Sequence, residues 1–147
     1  MGDRAQCSIE IGGKLAADKL PKFADHVARH DLRTDWSGEP YDPEAYPQGE
    51  RLNLFGEELN GGVADSLESF CRTNNLPFRR WSGGCPGAFH PAIVVYYGPG
   101  EDYEITATED EHPVLTLQEI GGFDTIQEIK DYIARFTRDL PTFTVVR

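Results

Sequence analysis

The feature that most constrains the fold of this chain is a faint internal duplication. A strand-like run at residues 7–11 is followed by a helical stretch and then by Trp-Ser-Gly at residues 36–38. The same order returns about 45 residues later, with a strand-like run at residues 51–55, a second helical stretch and Trp-Ser-Gly at residues 81–83. Two consecutive strand–helix–strand units predict a βαββαβ core of the ferredoxin-like type.

The duplication divides the chain into three segments. The first repeat covers about residues 6–40, the second about residues 51–86, and residues 92–147 form an acidic extension. A chain of 147 residues fits one domain and is long enough to bury a single core. We therefore predict a single α+β domain, in which a ferredoxin-like core is followed by a β-hairpin, a helix and a strand.

Three helices are predicted from apolar residues that recur every three or four positions. The first covers residues 18–30. The second covers residues 63–73 and is followed by an Asn pair that favours a left-handed stop. The third begins after Asp124, which is predicted to be its N-cap because Gln127 follows at the capping-box spacing.

Further strands are predicted where β-branched and aromatic residues cluster. These strands are residues 31–36, 77–81, 92–97, 103–107, 113–117 and 142–146. The segments 92–97 and 103–107 are separated by a glycine- and proline-rich turn, which is typical of a hairpin. Residues 37–50 contain three prolines and two glycines, so this segment is predicted to be the loop that joins the two repeats.

The composition indicates a protein of the cytoplasm. The chain contains no apolar run of membrane-spanning length, and residues 1–6 do not resemble a secretory signal. Its three cysteines, Cys7, Cys71 and Cys85, include no C-x-x-C pair, and an odd number of thiols suits a reducing compartment. We expect Cys7 and Cys71 to be buried, because they lie in a strand and on the apolar face of a helix.

Acidic charge is concentrated in the C-terminal half of the chain. The net charge is −11, and no Lys or Arg lies between Trp81 and Ile129. Such a chain repels nucleic acid and anionic membranes, so a basic protein surface is the expected partner. The predicted partner-binding residues are Glu101, Asp102, Glu104, Glu109, Asp110 and Glu111. The alternative is that the acidity only keeps the protein in solution.

A line of carboxylates can resemble the charges of a nucleic-acid backbone and bind a basic groove in a salt-dependent way. The sequence therefore favours a non-catalytic interaction protein without a cofactor. Its sharpest form is an inhibitor that occupies a nucleic-acid-binding surface of a partner, as anti-restriction and anti-CRISPR mimics do. A separate hypothesis is that the protein forms a homodimer through an open sheet edge.

The alternative hypothesis is a small-molecule-binding or enzymatic site at the two tryptophan corners. Its residues are Trp36, Trp81, Ser82, Cys85 and His90. Tryptophan offers a flat apolar face, and a thiol or hydroxyl nucleophile needs a nearby base such as His90. The loop that carries these residues has no Lys or Arg after its glycines, which argues against a phosphate cradle.

No metal site is predicted. His26 and His30 have the i, i+4 spacing that can chelate zinc. The residues between them do not match the zinc-protease pattern, and an exposed helix face is the expected role of this pair. The acidic run that ends at His112 lacks the glycine and spacing of a calcium loop.

Overall fold

The chain forms a five-stranded antiparallel sheet and a separate two-stranded parallel sheet. The computed structural model describes residues 3–44 and 50–147. The strands are β1 (Arg4–Ile11), β2 (Gly13–Ala16), β3 (Leu52–Asn60), β4 (Phe78–Ser82), β5 (Ala92–Tyr96), β6 (Asp102–Thr106) and β7 (Phe143–Val146). The helices are α1 (Leu20–Arg29), α2 (Asp65–Thr73), α3 (Leu117–Ile120) and α4 (Ile126–Ala134). The α+β class predicted from the sequence is confirmed.

The large sheet has the strand order β3-β1-β4-β5-β6. Strand β1 lies between β3 and β4 and is antiparallel to both, so β3, α2 and β4 form a strand–helix–strand unit that is split by β1. Strands β4, β5 and β6 then continue as neighbours in chain order. Strand β6 is one edge of the sheet.

Helices α1 and α2 cover the first face of the sheet. Alternate residues of β1, including Cys7 and Ile9, point into this core and are fully buried. Phe23 of α1 is also fully buried, and its ring lies 5.4 Å from that of Phe143 and 5.8 Å from that of Phe70. These contacts join α1 to α2 and to the last strand.

The second face is covered only in part. Trp81, Ile93 and Ile105 of β4, β5 and β6 are buried there with Phe136, which follows α4. On the same face, β1 and β3 present Ser8 and other residues that are half-buried or exposed. The second face is therefore closed over β4, β5 and β6 and more open over β1 and β3.

The predicted strand at residues 31–36 is wrong. Asp31 has a φ of 51° and turns the chain after α1, so the backbone does not continue as an extended run. Only Arg33 forms bridges there, to Phe55 and to Pro40, and its guanidinium donates to Asp31 and to the Gly38 carbonyl. A compact turn replaces the strand.

The predicted elements near the C-terminus are also revised. At residues 113–117, only Pro113 forms a bridge, to Ala107. The short helix α3 was not predicted, although Thr116 and Glu119 form its capping box. Helix α4 begins after Thr125, whose hydroxyl accepts from the Glu128 N–H, so the predicted Asp124 N-cap is wrong by one residue.

Other local predictions are confirmed. Helices α1 and α2 and the final strand lie within the predicted segments. Asn75 has a φ of 55° and follows α2, as the predicted left-handed stop requires. Among the residues that the structure describes, no helix combines the length and apolarity needed to cross a membrane.

The small sheet is joined to the large one at a glycine corner. Gly12 separates β1 from β2 and donates its N–H to the Pro77 carbonyl at 2.9 Å. Gly13 donates to the Thr142 carbonyl at 3.0 Å, and β2 then pairs in parallel with β7. This corner connects the first two strands with the last.

Candidate functional site

The six predicted partner-binding acids fall into two groups. Glu101, Asp102 and Glu104 lie at the edge strand β6, and Glu109, Asp110 and Glu111 lie in the turn that follows it. The two groups therefore sit on different structural elements instead of along one continuous strand.

Four of these six acids bind groups of their own chain. Glu101 lies 3.2 Å from Arg138 Nη1, and Asp102 lies 2.8 Å from Arg72 Nη2. Glu109 accepts a hydrogen bond from the Gly84 N–H at 2.9 Å, and Glu111 accepts one from the Ser8 hydroxyl at 2.9 Å. These four side chains have structural roles.

Glu104 and Asp110 are the two acids without such a role. Both are exposed, and within residues 3–44 and 50–147 neither side chain makes a hydrogen bond or an ion pair. Their carboxylates are therefore the members of the predicted set that a partner can reach without breaking an internal contact.

A charged cleft of about 420 Å³ lies between α2 and β6. Its charged lining residues are Asp65, Glu68, Arg72, Arg80, Asp102 and Glu104. Each of the two arginines is paired with one acid, Arg72 with Asp102 and Arg80 with Glu68. The cleft therefore carries more negative than positive charge.

The Glu68–Arg80 pair is buried in the wall of this cleft. Glu68 is 2% exposed and Arg80 is 7% exposed, and Arg80 Nε lies 2.9 Å from Glu68 Oε2. Burial raises the pKa of Glu68, and the charge of Arg80 opposes that shift. Removing either partner would leave a buried charge without compensation.

Ser82 belongs to the same buried network. Its hydroxyl accepts from Arg80 Nη1 and donates to the Gly62 carbonyl at 2.6 Å. The side chain is 3% exposed. These contacts hold Ser82 in a structural position that a substrate does not reach.

The two tryptophans occupy unequal positions. Trp81 is 4% exposed and donates its indole N–H to the Thr108 carbonyl at 3.0 Å. Trp36 lies in a turn and is 36% exposed, and its ring packs against Phe55 of β3 with 4.9 Å between ring centres and a tilt of 52°. They do not face each other across a shared pocket, because Phe55 and Ser8 lie between them in the sheet.

Cys85 and His90 do not form a thiol–imidazole pair. The backbone of Cys85 exchanges hydrogen bonds with that of Phe89, and His90 is exposed. Among the described residues, neither of their side chains makes a hydrogen bond. Burial raises the pKa of Cys7 to about 12 and raises that of Cys71 as well, so these two thiols remain protonated and inert.

The second face of the sheet has a small pocket that the sequence did not predict. It has a volume of about 160 Å³ and its lining includes Ser8, Phe55, Trp81 and Glu111. Ser8 and Phe55 were not singled out from the sequence. The alternation of residues along β1 and β3 predicts which face of the strand each side chain is on, but it does not predict which residues of neighbouring strands are paired. In the structure, Ser8 pairs with Phe55 on one side and with Trp81 on the other.

A hydroxyl also joins α1 to α2. The Ser66 Oγ lies 3.1 Å from His26 Nδ1 and 2.8 Å from His30 Nε2. Asp65 Oδ1 is 3.7 Å from the same nitrogen of His30. The i, i+4 histidine pair was expected on an exposed helix face, but both side chains are half-buried and contact α2 through Ser66. Within the described part of the chain, no group of three or more His, Cys, Asp or Glu side chains is placed to hold a metal ion.

The two histidines should make the stability of the protein sensitive to mild acid. Burial lowers the pKa of both, and Arg29 adds to each shift, whereas Asp25 opposes it at His26 and Asp65 opposes it at His30. Because the pKa of each histidine is lower in the folded chain, the unfolded chain binds protons more readily. The contribution of the two neutral histidines to the free energy of unfolding is therefore complete above about pH 6.5 and falls as the pH drops below that value. Urea unfolding at pH 7.5, 6.5 and 5.5 measures the dependence.

The matched variant for this test is His26→Gln/His30→Gln, which cannot titrate in that range. Its stability should change less between pH 7.5 and 5.5 than that of the unmodified protein. Equal pH dependence in the two proteins would show that the histidines do not carry the effect.

Comparison of this chain with known protein families, with curated proteins and with solved structures finds no match to any of them. The function is therefore argued from the geometry of the site.

Proposed function

We propose that this protein is a non-catalytic acidic interaction protein that binds a basic surface of a partner protein. The observation that carries the proposal is that the carboxylates of Glu104 and Asp110 are exposed and have no partner among the described residues. Both residues lie between Trp81 and Ile129, a segment that contains no Lys or Arg. No basic side chain of this segment can neutralise them. Their field is therefore available to an approaching cation.

The cleft beside β6 supports the same proposal. Arg72 and Arg80 are already paired with acids of their own chain, so they do not cancel the charge of Glu104. A basic side chain of a partner would gain Coulomb energy at Glu104, and the gain would fall with added salt because the site is exposed. In its sharpest form, the proposal is that the partner surface is one that normally binds nucleic acid.

We also interpret the first half of the chain as a ferredoxin-like core with a shortened second strand. The split unit of β3, α2 and β4 around β1 supports this interpretation. The bridge from Arg33 to Phe55 lies beside β3, where the missing strand of a βαββαβ core would pair. The fold alone does not specify a function.

Charge reversal at the two exposed acids tests the proposed function. The tagged protein and the variant Glu104→Lys/Asp110→Lys are used to capture proteins from host lysate at low and at high salt. We expect the unmodified protein to retain a nucleic-acid-binding protein that is released by salt and by added duplex DNA or RNA. The variant should retain at least about tenfold less of it, since like charges now face the basic surface.

The matched control is Asp25→Lys/Glu50→Lys, which makes the same change in net charge at two other exposed acids. This control should still capture the partner. Equal capture by the Glu104→Lys/Asp110→Lys variant would contradict the proposed surface. Capture of no nucleic-acid-binding protein at either salt concentration would contradict the proposed class of partner.

A further inference from the structure

We propose that the pocket between Phe55 and Trp81 binds a small molecule with one aromatic ring and a positively charged amine. The pocket lies on the second face of the sheet, at the border between its covered and its open part. It is separate from the acidic cleft, which lies between α2 and β6. The inference is therefore independent of the proposed partner protein.

The register of three strands creates the pocket. Ser8 is opposite Phe55 on β3 and opposite Trp81 on β4, so the three side chains form one row on the same face. Neighbouring strands are about 4.8 Å apart, which places the two aromatic residues roughly 10 Å apart with a small serine between them. Phe55 and Trp81 line two sides of the pocket, and Ser8 lies between them and donates its hydroxyl to Glu111.

The volume fits a single ring. The pocket has a volume of about 160 Å³, and a protein cavity of about 150 Å³ can hold benzene. Trp36, which does not line the pocket, packs against Phe55 with its ring tilted by 52°. A fused multi-ring ligand of ordinary size would not fit between Phe55 and Trp81.

Phe55 and Trp81 favour an aromatic and cationic ligand. The indole N–H of Trp81 is already donated to the Thr108 carbonyl and the residue is 4% exposed, so Trp81 offers a ligand only the part of its ring that lines the pocket. Aromatic rings attract other rings in offset or edge arrangements, and their faces also attract cations. A protonated amine attached to a ring can use both interactions.

The charged groups of the pocket agree with that choice. Glu10, Glu111 and Arg79 line it, so it holds two carboxylates and one guanidinium. Arg79 is engaged by Glu10 at 3.4 Å and by the Arg138 carbonyl. Glu111 accepts from the neutral hydroxyl of Ser8 through one carboxylate oxygen, Oε1, so it can keep this structural contact while its second oxygen accepts from an ammonium group.

Titration with 2-phenylethylamine tests the proposal. The indole N–H signals of Trp81 and Trp36 are followed by NMR in protein labelled with ¹⁵N at tryptophan. We expect a saturable shift of the Trp81 signal and a smaller shift at Trp36, which does not line the pocket. The same ring with the opposite charge, 3-phenylpropionate, should bind at least tenfold more weakly, and so should 2-cyclohexylethylamine.

Two variants and one control complete the test. Ser8→Leu fills the space between Phe55 and Trp81 and should abolish the shift, whereas the control Gln6→Leu, at an exposed position of the same strand outside the pocket, should bind like the unmodified protein. Glu111→Gln removes the charge without filling the pocket and should weaken binding about tenfold. Absence of a saturable Trp81 shift, equal binding by folded Ser8→Leu, or equal binding of 3-phenylpropionate would overturn the proposal.

Discussion

Replacing Glu68 with glutamine is expected to lower the free energy of unfolding by about 3–5 kcal/mol, the cost of leaving one charge of a buried pair without its partner. Glutamine has nearly the same shape as glutamate, so the change isolates the charge. Arg80, which is 7% exposed in the unmodified protein, would then lie beside a neutral amide. Urea or guanidinium unfolding, monitored by tryptophan fluorescence, measures the loss.

The double variant Glu68→Gln/Arg80→Met is the informative companion. It removes both charges, so most of the lost stability should return, because replacing a whole buried pair is often nearly neutral. Glu58→Gln, at an exposed position of β3, should change stability by less than about 0.5 kcal/mol. A loss below 1 kcal/mol in Glu68→Gln would show that water or a rearranged Arg80 compensates the charge.

Replacing Gly12 with alanine is expected to cost about 3 kcal/mol or more, at or above the upper end of ordinary overpacking. A Cβ at this position would collide with the carbonyl oxygen of Pro141 and lie 3.0 Å from its carbonyl carbon. The obstacle is backbone and cannot turn aside as a side chain would. The corner between β1 and β2 would therefore have to move away from the segment that leads into β7.

Gly122→Ala is the matched control for Gly12→Ala. Its Cβ would meet only the Glu119 carbonyl oxygen, at 3.4 Å, so its effect should be small. Thermal unfolding compares the two variants, and amide hydrogen exchange locates the damage, which should appear first in β2 and β7. Unchanged protection of β7 in Gly12→Ala would show that the corner adjusts without losing the small sheet.

The sequence predicted the elements whose periodicity reflects burial. The strand predicted at residues 7–11 lies within β1, where buried residues alternate, and in α1 the buried side chains recur on one face. The helix ends were harder to predict, since two or three neighbouring residues can serve as N-cap. Thr125 and Asp124 are both suitable N-cap residues, and only the hydrogen bond to the Glu128 N–H distinguishes them.

The candidate sites were less predictable because they depend on contacts between distant residues. The formal charge of Glu101 or Asp102 is evident in the sequence, but its pairing with Arg138 or Arg72 is not. Trp36 and Trp81 occupy similar places in the two repeats. They differ in exposure because the residues after α1 form a turn, whereas those after α2 form a central strand.

The parallel pairing of β2 with β7 has a consequence for how the chain folds. Gly13 is opposite Phe143, so this contact closes almost the whole chain into a loop and carries a large entropic cost. The neighbouring strands β4, β5 and β6 need only short loops and are expected to associate earlier. During synthesis, β2 therefore has to wait for β7 to leave the ribosome, and until then its apolar Leu15 lacks its native strand partner.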